Sequence, residues 1–257
     1  LQGNTITGTL SVTAGGAITQ TGGLVVGGTA TFNAGTAAVT LGLGANDFDS
    51  DNTGDAVTAS STGAAVSIRD GTGSMTVGAV TAGAEVTLRA DGLNLTGAIS
   101  ANGGAANTYL LPDTTTTAVS LGGAAGFDLT QTELLQIAAG TGTIVIGKDA
   151  VPTVTAGAVT AGASAAVNIG ARNLEIEGAS IAVGPNTFTT AGSLALVSAG
   201  VIDGTANDAT ADLSAGTLAL TAGTGGTGGI GTGTTIDVAA SVTLSADTTG
   251  SNANIVL

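Results

Sequence analysis

The sequence predicts an all-β chain wound as a parallel β-helix, a β-solenoid with coils of about 20 residues. Three observations lead there. The stretch Gly-Ala-Val-Thr-Ala-Gly-Ala occurs at 78–84 and again at 157–163, and the positions after each copy fall in step: Val86 with Val167, Leu93 with Leu174, Leu95 with Ile176, Gly97 with Gly178. A shorter alternating phrase recurs along the chain at spacings in the low twenties, as stacked repeat units do. Aromatic residues make up 2% of the chain and Trp is absent, so the aromatic signatures of a propeller blade are missing.

The elements follow from the phrase. It reads Leu-Ser-Val-Thr-Ala-Gly at 10–15, Ala-Thr-Phe-Asn-Ala-Gly at 30–35, Glu-Val-Thr-Leu-Arg-Ala at 85–90, Leu-Ala-Leu-Val-Ser-Ala-Gly at 194–200, Leu-Ala-Leu-Thr-Ala-Gly at 218–223 and Ser-Val-Thr-Leu-Ser-Ala at 241–246. Alternation of apolar with small or polar residues is the period of a strand with one buried face. Val, Ile and Thr suit that pleated surface, and the Gly after most runs turns the chain. The spacing from Leu10 to Ala30 is 20, and those from Leu194 to Leu218 and from Leu218 to Val242 are both 24. Stacked coils place like residue above like, so outward Asn, Thr and Ser are expected to form polar ladders. Only 129–137, with Leu129, Leu134 and Ile137, reads as helical, a short excursion from the coil. Composition does not change along 1–257 and no linker interrupts it, which predicts a single continuous solenoid segment.

Charge and composition exclude several functions. Lys and Arg total 4 against 18 Asp and Glu, a net charge of −14. No cationic footprint exists for nucleic acid or for an anionic membrane surface. No run of about 18 apolar residues is present, and the aromatic girdles of an outer-membrane barrel are missing. His and Cys both number 0, which removes imidazole catalysis, thiol nucleophiles, thiolate metal sites and disulfides.

The sharpest local feature is the acidic run 47–55. Asp47, Asp49, Asp51 and Asp55 are candidate ligands for calcium, since alternate carboxylates can turn their oxygens to one hard cation. An EF-hand would need Gly at Asn52 and Glu at Thr58, and a solvated loop with Asn-Asp turns is the competing reading. No other cofactor is expected. Carboxylate pairs of the kind that cleave glycosides could be drawn from Asp70 with Asp91 or Glu175 with Glu177, but the only Tyr, Tyr109, and Phe32, Phe48, Phe127 and Phe188 are scattered rather than gathered as sugar platforms. The Gly-rich run 223–231 lacks the Lys-Ser/Thr ending of a phosphate loop and reads as a corner. Asn94-Leu95-Thr96 fits an N-glycosylation pattern inside a strand-like run and reads as structural.

Ala17-Ile18-Thr19-Gln20-Thr21-Gly22 with Leu24-Val25-Val26, Ala45-Asn46-Asp47-Phe48 after an apolar run, the stretch from Ser67-Ile68-Arg69-Asp70 to Leu88, and 129–147 together resemble the repeat regions of filamentous haemagglutinin-like bacterial exoproteins. The resemblance covers most of the chain. It implies a right-handed parallel β-helix from a large secreted or surface-displayed protein, of a kind often exported by two-partner secretion and acting as adhesin or structural fibre. The secretion domain of that family is not evident, and no adhesive site carries over by motif.

The leading expectation is therefore a non-enzymatic extracellular or cell-surface fibre segment. The absence of a leader before Leu1 and the strand-like ending at 254–257 suggest a piece of something longer. Uncapped ends predict self-association into filaments, end to end or laterally. The alternatives are an adhesin module binding host or surface carbohydrate through lateral loops at 46–55 and 101–117, and a polysaccharide-acting β-helix enzyme.

Overall fold

The computed structural model describes residues 1–71, 73–123, 126–148, 156–206, 210–248 and 254–257. It is a parallel β-solenoid with coils of about 22 residues. Along most of the chain a strand meets its counterpart one coil later, running the same way, and the ladders among the described residues are parallel. The chain forms two compact units, Leu1–Thr114 with Thr132–Gly142, and Thr115–Gln131 with Thr143–Leu257.

In the first unit, each of the opening coils lays one strand in each of three sheets. One sheet holds Asn4–Ile6, Leu24–Val26 and Asp47–Phe48, in that order. A second holds Leu10–Thr13, Ala30–Asn33, Val57–Ser61 and Ser74–Ala82. The third runs through Ile18–Thr19, Val39–Leu41, Val66–Arg69, Val86–Arg89 and Thr108–Leu111. Ser74–Ala82 spans two strands of the next coil, pairing with Gly92–Leu95 and then Ile99–Ala101.

Alternation puts Val26, Phe32, Val39, Leu41, Val57, Val66, Ile68, Val86 and Leu88 wholly inside. Register stacks Val12 on Phe32 and Phe32 on Ala59, so a large ring lies beside a small residue. Phe32 also meets Phe48 edge to face, with centroids 6.0 Å apart and planes at 75°, a geometry that adds about 0.5–1.5 kcal/mol beyond burial. Buried Ser61 is satisfied at the corner, its Oγ accepting the Ala64 N–H at 3.0 Å.

The expected polar ladders are present. Thr13, Asn33, Ser60, Thr81 and Ser100 stack rung on rung on one sheet, and Thr19, Thr40, Ser67 and Thr87 on another. The hydroxyls of Thr31 and Thr58 are hydrogen-bonded at 3.0 Å. The short helix appears at Gln131–Gln136, inside the stretch marked helical, with Leu134 buried and Leu135 exposed. The Gly97 corner shows why that residue must be small: a Cβ there would lie 2.5 Å from the Ala79 nitrogen.

The second unit uses longer strands, Asn173–Val183, Phe188–Ser198, Leu213–Thr221 and Val238–Asp247. Leu194 stacks on Leu218 as the spacing predicts. The next rung differs: Leu218 pairs with Leu244, not Val242, and the register shifts by one residue between Ala215 and Thr217. The observed partner lies two residues beyond the expected one and so on the same strand face, which is why alternation alone could not tell them apart. The Gly-rich run 223–231 is a corner without strand, with Gly226 and Gly228 at positive φ.

Candidate functional site

The acidic run is a bulge between coils. Thr9 and Thr29 stack at a separation of 20 residues, whereas Thr31 and Thr58 stack at 27. Val26 and Phe48 still pair at 22, so the loop after Phe48 takes up most of the excess. Asp49, Asn52 and Gly54 take positive φ of 94°, 56° and 85°, and the Asp49 carboxylate holds this strained turn together. It accepts the Thr53 N–H at 2.9 Å and the Gly54 N–H at 2.9 and 3.0 Å. The Thr53 hydroxyl lies 2.9 Å from Asp51 Oδ1 and 2.6 Å from Asp55 Oδ2, and its single proton serves one of them at a time.

Of the four carboxylates named as calcium ligands, three converge: Asp49, Asp51 and Asp55 each bring an oxygen within 4.8 Å of the others. Asp47 is not part of that group. It points instead to a cavity of about 280 Å³ lined by Gly44, Ala45, Asn46, Asp47, Asn52, Asp70, Gly71 and Gly73. The three loop oxygens fall well short of the six to eight that calcium takes, and Asp49 already spends its own on backbone N–H groups.

The cavity rests on two stacked corner residues. Asn46 is buried and cross-links three coils: its Oδ1 accepts the Leu24 N–H at 3.0 Å, and its amide donates to Arg69 O at 2.8 Å and Gln20 Oε1 at 3.0 Å. Asp70 repeats the task one coil on. Its Oδ1 accepts the Phe48 N–H at 3.1 Å, and it is 1% exposed. Burial pushes the Asp70 carboxyl from the ordinary 3.8 up to about 7, the Asp47 and Asp113 carboxylates push the same way, and the N–H groups of Phe48 and Gly71 oppose them. The sequence placed Asp70 in an acid pair with Asp91. The structure gives the two different work, for Asp91 accepts the Thr114 N–H at 2.6 Å and its hydroxyl at 2.7 Å. The signal that could have found Asp70 is its place directly after an alternating strand and before Gly71, the corner Asn46 holds one coil earlier.

Beside the cavity, Arg69 grips Asp113 through Nε at 2.6 Å and Nη2 at 3.1 Å. Arg89 brings its Nε to 2.8 Å from the same carboxylate and donates from Nη2 to Asp113 O at 3.0 Å. The Arg89 Nε makes no well-aligned hydrogen bond, so that contact is ionic. Glu175 and Glu177 do share a strand face, as their alternation predicts, and both pair with Lys148 Nζ, at 3.7 and 2.7 Å. These partners raise the Lys148 pKa. Tyr109 is 7% exposed and all four Phe are buried, so no aromatic ring is offered as a sugar platform.

These features define a repeat-built parallel β-solenoid with a buried polar corner at Asn46 and Asp70. Residues 1–55 of the 257 match a family model described as repeats of unknown function (DUF5649). No curated protein and no solved structure matches the chain.

Proposed function

We propose that the protein is a structural segment of an extracellular bacterial fibre or adhesin of the filamentous haemagglutinin-like kind, a right-handed solenoid that works by reach and assembly rather than catalysis. The observation that carries this reading is the stacking itself. Strand pairs with strand in parallel register one coil on, as Leu10–Thr13 does with Ala30–Asn33 and Phe188–Ser198 with Leu213–Thr221, over an interior of wholly buried aliphatic side chains such as Val39, Leu41, Ile68 and Leu196. Repeats of this kind touch only their neighbours, so reach is gained coil by coil. Electron microscopy of the purified protein at high concentration tests this: filaments with an axial spacing of about 4.8 Å are expected, and particles that stay single at every concentration would sink the reading. A lateral ligand-binding role is favoured by the polar cavity beneath the 46–55 loop, and glycan binding that is lost on Asn52→Ala would reveal it.

A further inference from the structure

We propose that Asp70 is a proton-operated latch on the strand Asp47–Phe48 and on the acidic loop that follows it. When neutral, the Asp70 carboxyl does what Asn46 does one coil earlier, filling a buried corner and accepting a backbone N–H, here that of Phe48. When ionised, it becomes a buried anion facing Asp47 across the cavity both residues line, with the Asp113 carboxylate behind it. The neighbouring cations do not relieve it, because Arg69 and Arg89 are both committed to Asp113. From the loop, the cavity wall receives Asn52, which is neutral, and the charges that bear on Asp70 are the carboxylates of Asp47 and Asp113.

The part that can yield is small. Asp47–Phe48 is a strand of 2 residues at the outer edge of its sheet, joined there to Leu24–Val26. Letting it go exposes the Asp70 carboxylate to water and separates it from Asp47. The closed state holds the Asp70 proton up to about pH 7, whereas the open state releases it near the ordinary carboxyl value. Opening therefore releases a proton between these two values. It becomes up to about tenfold more favourable for each pH unit in that window, and levels off above it.

Hydrogen exchange of the native protein from pH 5 to 8.5, corrected for intrinsic rates, tests the latch. The amides of 47–55 are expected to lose protection by as much as about tenfold per pH unit up to pH 7 and then to plateau, while the amides of Val77 and Leu88 keep theirs. Asp70→Asn should flatten the profile. Asp47→Asn, which keeps Asp70, should move the plateau to lower pH, so the latch stays testable if Asp70→Asn folds poorly. An Asp70 carboxyl that titrates near 4 by NMR would overturn the proposal. So would a protection loss that spreads equally to Val77 and Leu88, or one that survives Asp70→Asn unchanged.

Discussion

At the scale of single residues, the fold sets side chains against the ordinary preferences of their chemistry, and Asp70 is the clearest case. Its folded pKa lies above its unfolded one, so the folded state binds the extra proton between pH 4 and 7. Stability is then greatest at the acid end of that window and declines as pH rises to about 7, beyond which the loss is complete. Replacing Asp70 by Asn, the residue this corner already uses at position 46, should remove the decline. The variant is expected to gain up to about 4 kcal/mol over the native protein at pH 8 and little at pH 4, as urea denaturation at the two pH values would show. Glycines give a second residue-scale prediction. A Cβ at Gly97 would strike the Gly78–Ala79 backbone, at 2.5 Å from the Ala79 nitrogen, while one at Gly178 would meet chiefly a Val159 methyl at 2.6 Å. Backbone cannot step aside as a side chain can, so Gly97→Ala should destabilise by about 2–3 kcal/mol and Gly178→Ala by less. Equal denaturation midpoints for the two variants would contradict this. The repeat made these glycines legible as a matched pair in the sequence. It could not show that their neighbours differ, because that depends on which atoms of the preceding coil come closest.

Among the elements, the sequence was most readable where one strand obeys one period. Val57–Ser61 and Val66–Arg69 bury alternate residues as their patterns demand. Legibility ended where two elements meet. That Leu218 pairs with Leu244 rather than Val242 is invisible, because partners two residues apart on one strand share its inward face. The acidic loop shows the same limit. Alternate aspartates made it conspicuous, yet which carboxylates converge is set by three positive-φ residues, Asp49, Asn52 and Gly54, and these drop Asp47 from the group. With three convergent carboxylates already engaged by Thr53 and Gly54, the loop has few oxygens left for a cation. Calorimetric titration with calcium should find a dissociation constant weaker than about 1 mM, and micromolar binding would show that the loop rearranges around the ion. The capping bonds themselves predict that Asp49→Ala, which removes both acceptors of the Gly54 N–H and leaves the Thr53 N–H only the longer contact to Asp51 Oδ1 at 3.3 Å, raises hydrogen exchange most at Gly54 and less at Thr53 while leaving Val57 protected.

For the whole molecule, burial and charge pull in opposite directions. The aliphatic interior holds each unit together, and that attraction does not depend on charge. Against it stands a net charge of −14, with 4 cationic side chains among 18 acidic ones, so the compact chain repels itself. Salt screens the repulsion, the Debye length falling from about 30 Å at 0.01 M to about 3 Å at 1 M, and leaves the burial in place. Stability should therefore rise with ionic strength, the reverse of a fold held by ion pairs such as Arg69–Asp113 and Lys148–Glu177. Urea denaturation should give a higher midpoint in 0.5 M than in 0.01 M NaCl. A lower midpoint at the higher salt would mean that these pairs outweigh the self-repulsion of the chain.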